Sequence, residues 1–258
     1  MPSPMTGAER SLAADVRRLA KGRHLLVLLD FDGTLCDFEV DPARVQLPES
    51  RRQTLKQLRR RATVGIVSGR RLDDVRRRCA IEGIVAAGLH GLEIEAFGER
   101  YVHPDLDAAA AAVEDAAARL RESTRGLPGV FVEHKGASVA LHFREADADG
   151  QRRAIDAFAR VSDPLVDRRR LRVMRGASVL ELLPNIDWNK GHAVRWIAER
   201  VRAREGDTFV VYVGDDVTDQ DAFAAIERDG VAIAASDRVN ASLRVDGPAA
   251  VERLLAAL

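Results

Sequence analysis

The stretch HLLVLLDFDGTLCDF, from His24 to Phe38, constrains the fold more than any other part of the chain. An apolar run stops at Asp30, a second aspartate follows at Asp32, and Gly33-Thr34 stands behind it. A run of apolar residues without polar alternation reads as a strand buried on both faces. TVGIVSG, GIVAAG and TFVVYVGDD carry the same signature. The segments around them are helical. PESRRQTLKQLRRRA sets Leu55 and Leu58 at helical spacing, RRLDDVRRRCA follows the second strand, and GHAVRWIAERVRAR puts Val194, Ile197 and Val201 on one stripe. A short apolar element, GVAIAAS, and a closing helix, AAVERLLAAL, complete the pattern. Strands alternating with helices predict an α/β fold, a Rossmann-like, mostly parallel sheet covered on both sides.

The middle of the chain breaks this rhythm. DLDAAAAAVEDAAARLRES is an alanine-rich helix, and VFVEHKG and SVALHFRE alternate like half-buried antiparallel strands around a turn at Gly136. DGQRRAIDAFARV is a second helix, followed by the strand pair LRVMRG and SVLELLP. Pro104 and Pro184 punctuate the two ends. The expected organisation is an αββαββ domain over residues 104–184, inserted into a core formed by residues 1–103 and 185–258.

Forty basic residues balance forty acidic ones, so no net positive field draws the chain to nucleic acid. The arginine clusters RRQTLKQLRRR, RRLDDVRRRC and VDRRRLR are expected to be solvated helix faces and loops. Cys36 and Cys79 match neither a disulfide framework nor a metal motif and read as small buried hydrophobes in a reducing compartment. The first residues lack the apolar stretch of a secretory signal, and the longest apolar runs are too short to span a bilayer. The expectation is a cytoplasmic monomer with no membrane partner.

Ligands of open parallel sheets bind beyond the carboxyl ends of the strands. Asp30, Ser68 and Asp215 each stand where an apolar strand gives way to polar residues and glycine, so the three converge on one edge. Adjacent carboxylates such as Asp30 and Asp32 repel, and each needs a cation or a proton. Mg²⁺, a hard cation that takes carboxylate, phosphate and water oxygens, is one solution. An aspartate kept free as acid and base is the other. Both suit phosphoryl transfer, whereas a calcium-type loop or a helix-capping turn is the alternative. Ser68, Gly69 and Arg70 offer a hydroxyl and backbone N–H groups to an anion. Lys190 opens a helix, where the macrodipole disfavours a cation unless it meets an anion. In VGDDVTDQDAF, Asp215 and Asp216 concentrate charge at a buried strand end, a costly arrangement best explained by metal ligation, and Asp219 and Asp221 lead into the next helix.

In their order, DFDGT, SGR, NKG and GDDVTDQDAF resemble the four motifs of the haloacid dehalogenase superfamily of aspartate-dependent phosphatases, and the insert resembles that superfamily's cap domain. GLHGLEI, VEHKGASVALHFR and LELLPNIDWNKG are further similar to the trehalose-6-phosphate phosphatases, so the resemblance covers nearly the whole chain from Leu25 onward. It implies Asp30 as nucleophile and Asp32 as the acid that protonates the leaving sugar oxygen and later activates water. Mg²⁺ would be held by the Asp30 side chain, the Asp32 carbonyl and Asp215, with Asp216 and Asp219 in support. Ser68, Gly69 and Lys190 would hold phosphoryl oxygens. Arg70, His90, Glu93, Glu133, Lys135 and Glu181 would contact a sugar phosphate. Three positions depart from the family pattern. Leu183 replaces an arginine, Cys36-Asp37-Phe38-Glu39 replaces an Ala-Pro start, and Gln220 replaces a glutamate. The expected activity is hydrolysis of trehalose 6-phosphate. A phosphatase for another sugar phosphate, a phosphomutase and an inactive sensor are the alternatives.

Overall fold

The computed structural model describes residues 5–39, 42–167 and 170–258. It divides into two compact units, one formed by Met1–Tyr101 with Trp188–Leu258, the other by Val102–Asp187.

In the first unit, α1 (Gly7–Leu19) precedes β1 (His24–Leu29), α2 (Glu49–Leu58), β2 (Thr63–Val67), α3 (Leu72–Cys79) and β3 (Val85–Gly88). A short hairpin follows, β4 (Glu93–Ala96) and β5 (Glu99–Val102). The inserted unit carries α4 (Leu106–Ser123), β6 (Phe131–His134), β7 (Val139–His142), α5 (Ala148–Asp167), β8 (Leu171–Gly176) and β9 (Val179–Pro184). The chain returns with α6 (Lys190–Glu205), β10 (Thr208–Gly214), α7 (Gln220–Ile226), β11 (Gly230–Ala234), β12 (Leu243–Arg244) and α8 (Gly247–Ala257). The main sheet runs β12-β11-β10-β1-β2-β3-β4-β5. Its strands are parallel from β12 to β3, and β4 is antiparallel to β3. The predicted α/β class with a mostly parallel sheet is therefore observed.

Alternation along β1 explains why its sequence is apolar throughout. Val27 and Leu29 enter a core shared with α1, α2, α3 and α8, whereas Leu26 and Leu28 enter a second core under α6 and α7. β10 divides in the same way, with Val211 and Val213 on the first face and Val210 and Tyr212 on the second. Burial on both faces leaves the central strands no register to slip into. The sheet of the inserted unit runs β6-β7-β9-β8 and is antiparallel throughout. Val139, Leu141, Leu180 and Leu182 pack with α4 and α5 on one of its faces.

The arginine clusters are not simply solvated, contrary to the expectation. Buried Arg51 donates to the Leu35 carbonyl at 2.9 Å and pairs with Glu252 at 3.4 Å, tying the segment after β1 to α8. Arg52 donates to the carbonyls of Cys79 (2.9 Å) and Arg78 (3.1 Å) at the end of α3. A planar guanidinium with five donors satisfies carbonyls that a lysine could not reach together. Arg168 and Arg169 of the third cluster lie outside the described residues. Cys36 and Cys79 are buried free thiols, and burial raises both to about 12. Among the described residues no helix is long and apolar enough to cross a membrane.

α1 is held to α8 by a bidentate pair, Arg253 to Glu9 at 2.6 and 3.0 Å. The Arg253 bonds outweigh burial and, with the Thr6 N–H, lower the Glu9 carboxyl to about 2. A depressed carboxyl contributes stability above the ordinary carboxylate range and loses it as pH falls toward the folded value. Glu9→Gln is expected to cost about 1 kcal/mol near neutral pH in urea unfolding. The gap to the unsubstituted protein should narrow as the medium is acidified; a gap that widens would contradict this assignment.

Candidate active site

Register builds the site. Leu29 pairs with Val213 on one side and with Ile66 on the other, so Asp30, Gly214 and Val67 come level, with Asp215 and Ser68 one residue further. The predicted convergence of three strand ends on one edge is what the sheet produces.

Asp30 is buried, and its N–H donates to the Val213 carbonyl at 2.9 Å. Lys190, the first residue of α6 and also buried, donates to Asp30 Oδ1 at 2.6 Å and to Asp219 Oδ1 at 2.7 Å. The anion that its unfavourable place at a helix start called for is this pair of carboxylates. Asp219 Oδ1 also accepts the Tyr212 hydroxyl at 2.8 Å, and Asp219 Oδ2 accepts the N–H groups of Asp215 and Asp216 at 3.0 Å each. On the far side of the cluster, Asp215 accepts the Thr34 hydroxyl at 3.0 Å and the Arg238 guanidinium, while its carbonyl accepts Ser236 Oγ at 2.5 Å.

Burial, with Asp219 and Asp215 as neighbouring negative charges, pushes the Asp30 carboxyl well up despite Lys190. Burial and Asp219 likewise raise Asp215 to about 6. Lys190 moves the other way: burial opposes its charge, but Asp219 and Asp30 prevail and raise it above the ordinary lysine range. The cluster is thus short of positive charge. Oxygens of Asp30, Asp215 and Asp219 lie within 4.8 Å of one another and could hold a hard divalent cation. Asp219 has both oxygens filled by four hydrogen bonds, which makes it the brace of the site and leaves Asp30 and Asp215 as the better ligands. Two glycines keep this cradle open. A Cβ at Gly33, whose φ is +84°, would stand 2.3 Å from Asp215 Oδ2, and one at Gly214 would stand 2.3 Å from the Asp219 carboxyl carbon.

Asp32 is engaged by Arg70, which donates to its two oxygens at 2.7 and 2.6 Å and to Asp74 at 3.1 Å. Ser68 is buried; its hydroxyl accepts the Arg70 N–H at 3.2 Å and its carbonyl accepts the His90 N–H at 2.9 Å. His90 is buried at φ +57° with its ring packed on Gly69, where a Cβ would stand 2.9 Å from it. Glu93, on β4, pairs with Arg100 at 3.2 Å. Asp216 caps the turn that contains Asp219.

In the inserted unit, Glu133, Ala140 and Glu181 are cross-strand partners on one rung. Glu181 accepts Lys135 Nζ at 3.2 Å and Ser138 Oγ at 2.6 Å, and Glu133 bonds His142 at 2.9 Å. Burial raises the Glu133 carboxyl, but the His142 bond and the Lys135 charge outweigh it and leave it lowered. Each unit therefore brings its own group together: Asp30, Asp215, Asp219, Lys190 and, beside them, Asp32, Arg70 and Ser68 in one; Glu133, Lys135 and Glu181 in the other. Sequence reasoning missed Tyr212, Thr34, Asp74 and Arg238. Tyr212 was readable from strand alternation and Thr34 from its place in DGT, but Arg238 sits in a loop after β11 with no pattern to mark it.

Lys190→Met would leave Asp30 and Asp219 buried without their cation. Urea unfolding without divalent ion is expected to register a loss of about 3 kcal/mol or more, and a near-neutral result would contradict the role given to Lys190. Gly33→Ala should abolish calorimetric binding of Mn²⁺, whereas retained affinity would mean that the cradle is not the metal site.

A family model described as trehalose-phosphatase matches residues 28–248. The trehalose-phosphate phosphatase of Mycolicibacterium paratuberculosis is 40% identical over 228 residues, covering 87% of this chain and 56% of that protein. The corresponding protein of Mycobacterium marinum is 40% identical over 235 residues, covering 87% and 59%. The chain thus spans little more than half the length of these relatives. Among solved structures, the C-terminal domain of the C. albicans trehalose-6-phosphate phosphatase aligns with a TM-score of 0.78 at 22% identity, over 98% of this chain and 96% of that one. A haloacid dehalogenase-like hydrolase from Bacteroides thetaiotaomicron aligns at 0.58 with 16% identity, over 90% and 100%. These two likenesses bear on the fold, and the family match with the mycobacterial relatives bears on kinship: the chain belongs to the trehalose-phosphatase family.

Proposed function

We propose that the protein is a Mg²⁺-dependent phosphatase that hydrolyses trehalose 6-phosphate to trehalose and inorganic phosphate through an aspartyl-phosphate. The observation that carries this reading is Asp30, a buried carboxylate at the end of the central strand, braced by Lys190 and flanked by Asp215 and Asp219. The family membership and the names of the mycobacterial relatives support the substrate.

Bound at Asp30 and Asp215, with the Asp32 carbonyl, Mg²⁺ would neutralise carboxylate and phosphate charge so that one anion can approach another. An Asp30 oxygen attacks phosphorus as the bond to the sugar oxygen breaks, and the Asp32 carboxyl gives that oxygen its proton. Asp32, now a carboxylate, takes a proton from water as the water oxygen attacks phosphorus and the Asp30–phosphorus bond breaks. Ser68, Gly69 and Lys190 bind the phosphoryl oxygens. Asp216 and Asp219 support the metal ligands. In the inserted unit, which we read as the substrate-specificity domain, Glu133, Lys135 and Glu181 offer paired charges to sugar hydroxyls. In the core unit, His90 and Glu93 are the further residues we assign to substrate. We read the chain as a monomer that serves a small molecule; its balanced charge provides no field to draw nucleic acid.

A second substrate, another sugar phosphate, is favoured by Leu183, an apolar residue where the resemblance called for arginine. Arg172, however, is the cross-strand partner of Leu183, so a guanidinium is retained on the same rung.

Phosphate release from a panel of sugar phosphates tests the proposal. Trehalose 6-phosphate should be turned over faster than glucose 6-phosphate or sucrose 6-phosphate, chelation should stop turnover, and Mg²⁺ should restore it. Equal rates across the panel would remove the trehalose assignment. Asp30→Asn should lower kcat by about 10⁴-fold or more with folding preserved, and persistent turnover would exclude Asp30 as nucleophile. Arg172→Ala should raise KM for trehalose 6-phosphate about tenfold while kcat holds, and an unchanged KM would remove Arg172 from the sugar site.

A further inference from the structure

Arg70 was expected to touch the substrate, yet three of its bonds are made to carboxylates of the protein. Nε and Nη2 take the two oxygens of Asp32 at 2.7 and 2.6 Å, and Nη1 reaches Asp74 at 3.1 Å. The guanidinium carbon lies 5.6 Å from the centre of the Phe31 ring. Asp74 is itself anchored by Arg78 at 2.7 Å and by Arg77. Arg70 is buried, and its backbone is fixed by the Ser68 hydroxyl at its N–H and by the Leu89 N–H at its carbonyl. The arginine is therefore immobilised at its main chain, at its face and at its far end. With two parallel bonds it grips Asp32, the carboxylate two residues beyond the proposed nucleophile.

A fork-to-fork pair sets the plane of a carboxylate as well as its place. Proton transfer to a leaving oxygen depends on that plane, because the transferring oxygen has to lie within hydrogen-bond reach of it. From this geometry, and resting on the phosphatase reading above, we infer that Arg70 is a positioning residue for Asp32 rather than a substrate ligand, with Asp74 as its anchor. Arg70 itself transfers no proton; bonded to both oxygens of Asp32, it acts by holding that carboxyl in line with the bond that breaks.

Leaving groups distinguish the two roles. A nitrophenolate departs without a proton, whereas a phenolate or sugar alkoxide needs one. Rates on a series of aryl phosphates from nitrophenyl to phenyl are measured for the unsubstituted protein, Asp32→Asn, Arg70→Met, Arg70→Lys and the double variant Asp32→Asn/Arg70→Met. Asp32→Asn should steepen the dependence of kcat on leaving-group acidity. Arg70→Met should steepen it in the same sense, losing about 10²-fold on phenyl phosphate and less than about fivefold on the nitrophenyl ester. Arg70→Lys should fall between them. Added to Asp32→Asn, the Arg70 change should cost less than about twofold, as expected for residues that act as one unit. Asp74→Asn, which keeps Arg70 but loosens its anchor, should show a smaller steepening and guards against a folding defect in Arg70→Met. A raised KM with an unchanged slope, or losses that multiply in the double variant, would overturn the inference and return Arg70 to the substrate. Aryl phosphates carry no sugar, so a wrong substrate appears in the sugar-phosphate panel and a wrong role for Arg70 appears in the slope.

Discussion

The ammonium of Lys190, lodged between Asp30 and Asp219, is the contact on which the site depends. Three carboxylates converge at a buried strand end, an arrangement that burial and mutual repulsion both oppose. One cation at 2.6 and 2.7 Å makes it tolerable, and the remaining donors complete it. Tyr212 and two backbone N–H groups fill Asp219, while Thr34 and Arg238 serve Asp215. The cluster remains short of positive charge, and a cluster in that condition is suited to take a cation and a phosphate together.

The sheet supplies the rigidity this chemistry needs. β1 and β10 are buried on both faces, so a shift in either would expose apolar residues to one side or break packing on the other. Their parallel register sets Asp30 and Asp215 at neighbouring strand ends without any direct bond between the two side chains being required. The segment after β1 is secured separately: Arg51 grips the Leu35 carbonyl, and Arg70 grips Asp32. Arginines that look like surface charge in the sequence are thus distributed as clamps around the segment that carries Asp30 and Asp32.

Much of this could be read from the chain before the structure. Apolar runs ending in DFDGT, VSGR and VGDD announced a parallel sheet and the edge where Asp30, Ser68 and Asp215 meet, because burial on both faces leaves an unmistakable composition. The αββαββ order of the insert followed from a change of period from continuous to alternating. What escaped has physical reasons. The β4–β5 hairpin is two four-residue strands, EIEA and ERYV, too short and too polar to stand out, and β12 has only two residues. The roles of Arg51 and Arg70 depend on which carbonyl or carboxylate the fold brings near, information absent from a run of arginines. Asp219 read as a helix-start acid in support of the metal ligands; only the four bonds converging on it mark it as the brace.

A carboxylate oxygen of Asp30 is the atom proposed to receive phosphorus, and trapping tests that most directly. The protein is mixed with sugar phosphate and Mg²⁺, quenched in acid within the first turnover, reduced with borohydride and digested for peptide mass analysis. Reduction converts an acyl-phosphate aspartate to homoserine, so the account predicts homoserine at position 30 in the fraction of molecules caught mid-turnover. Homoserine at Asp32 or Asp215, or a rapid burst of product with an intact aspartate at position 30, would contradict it.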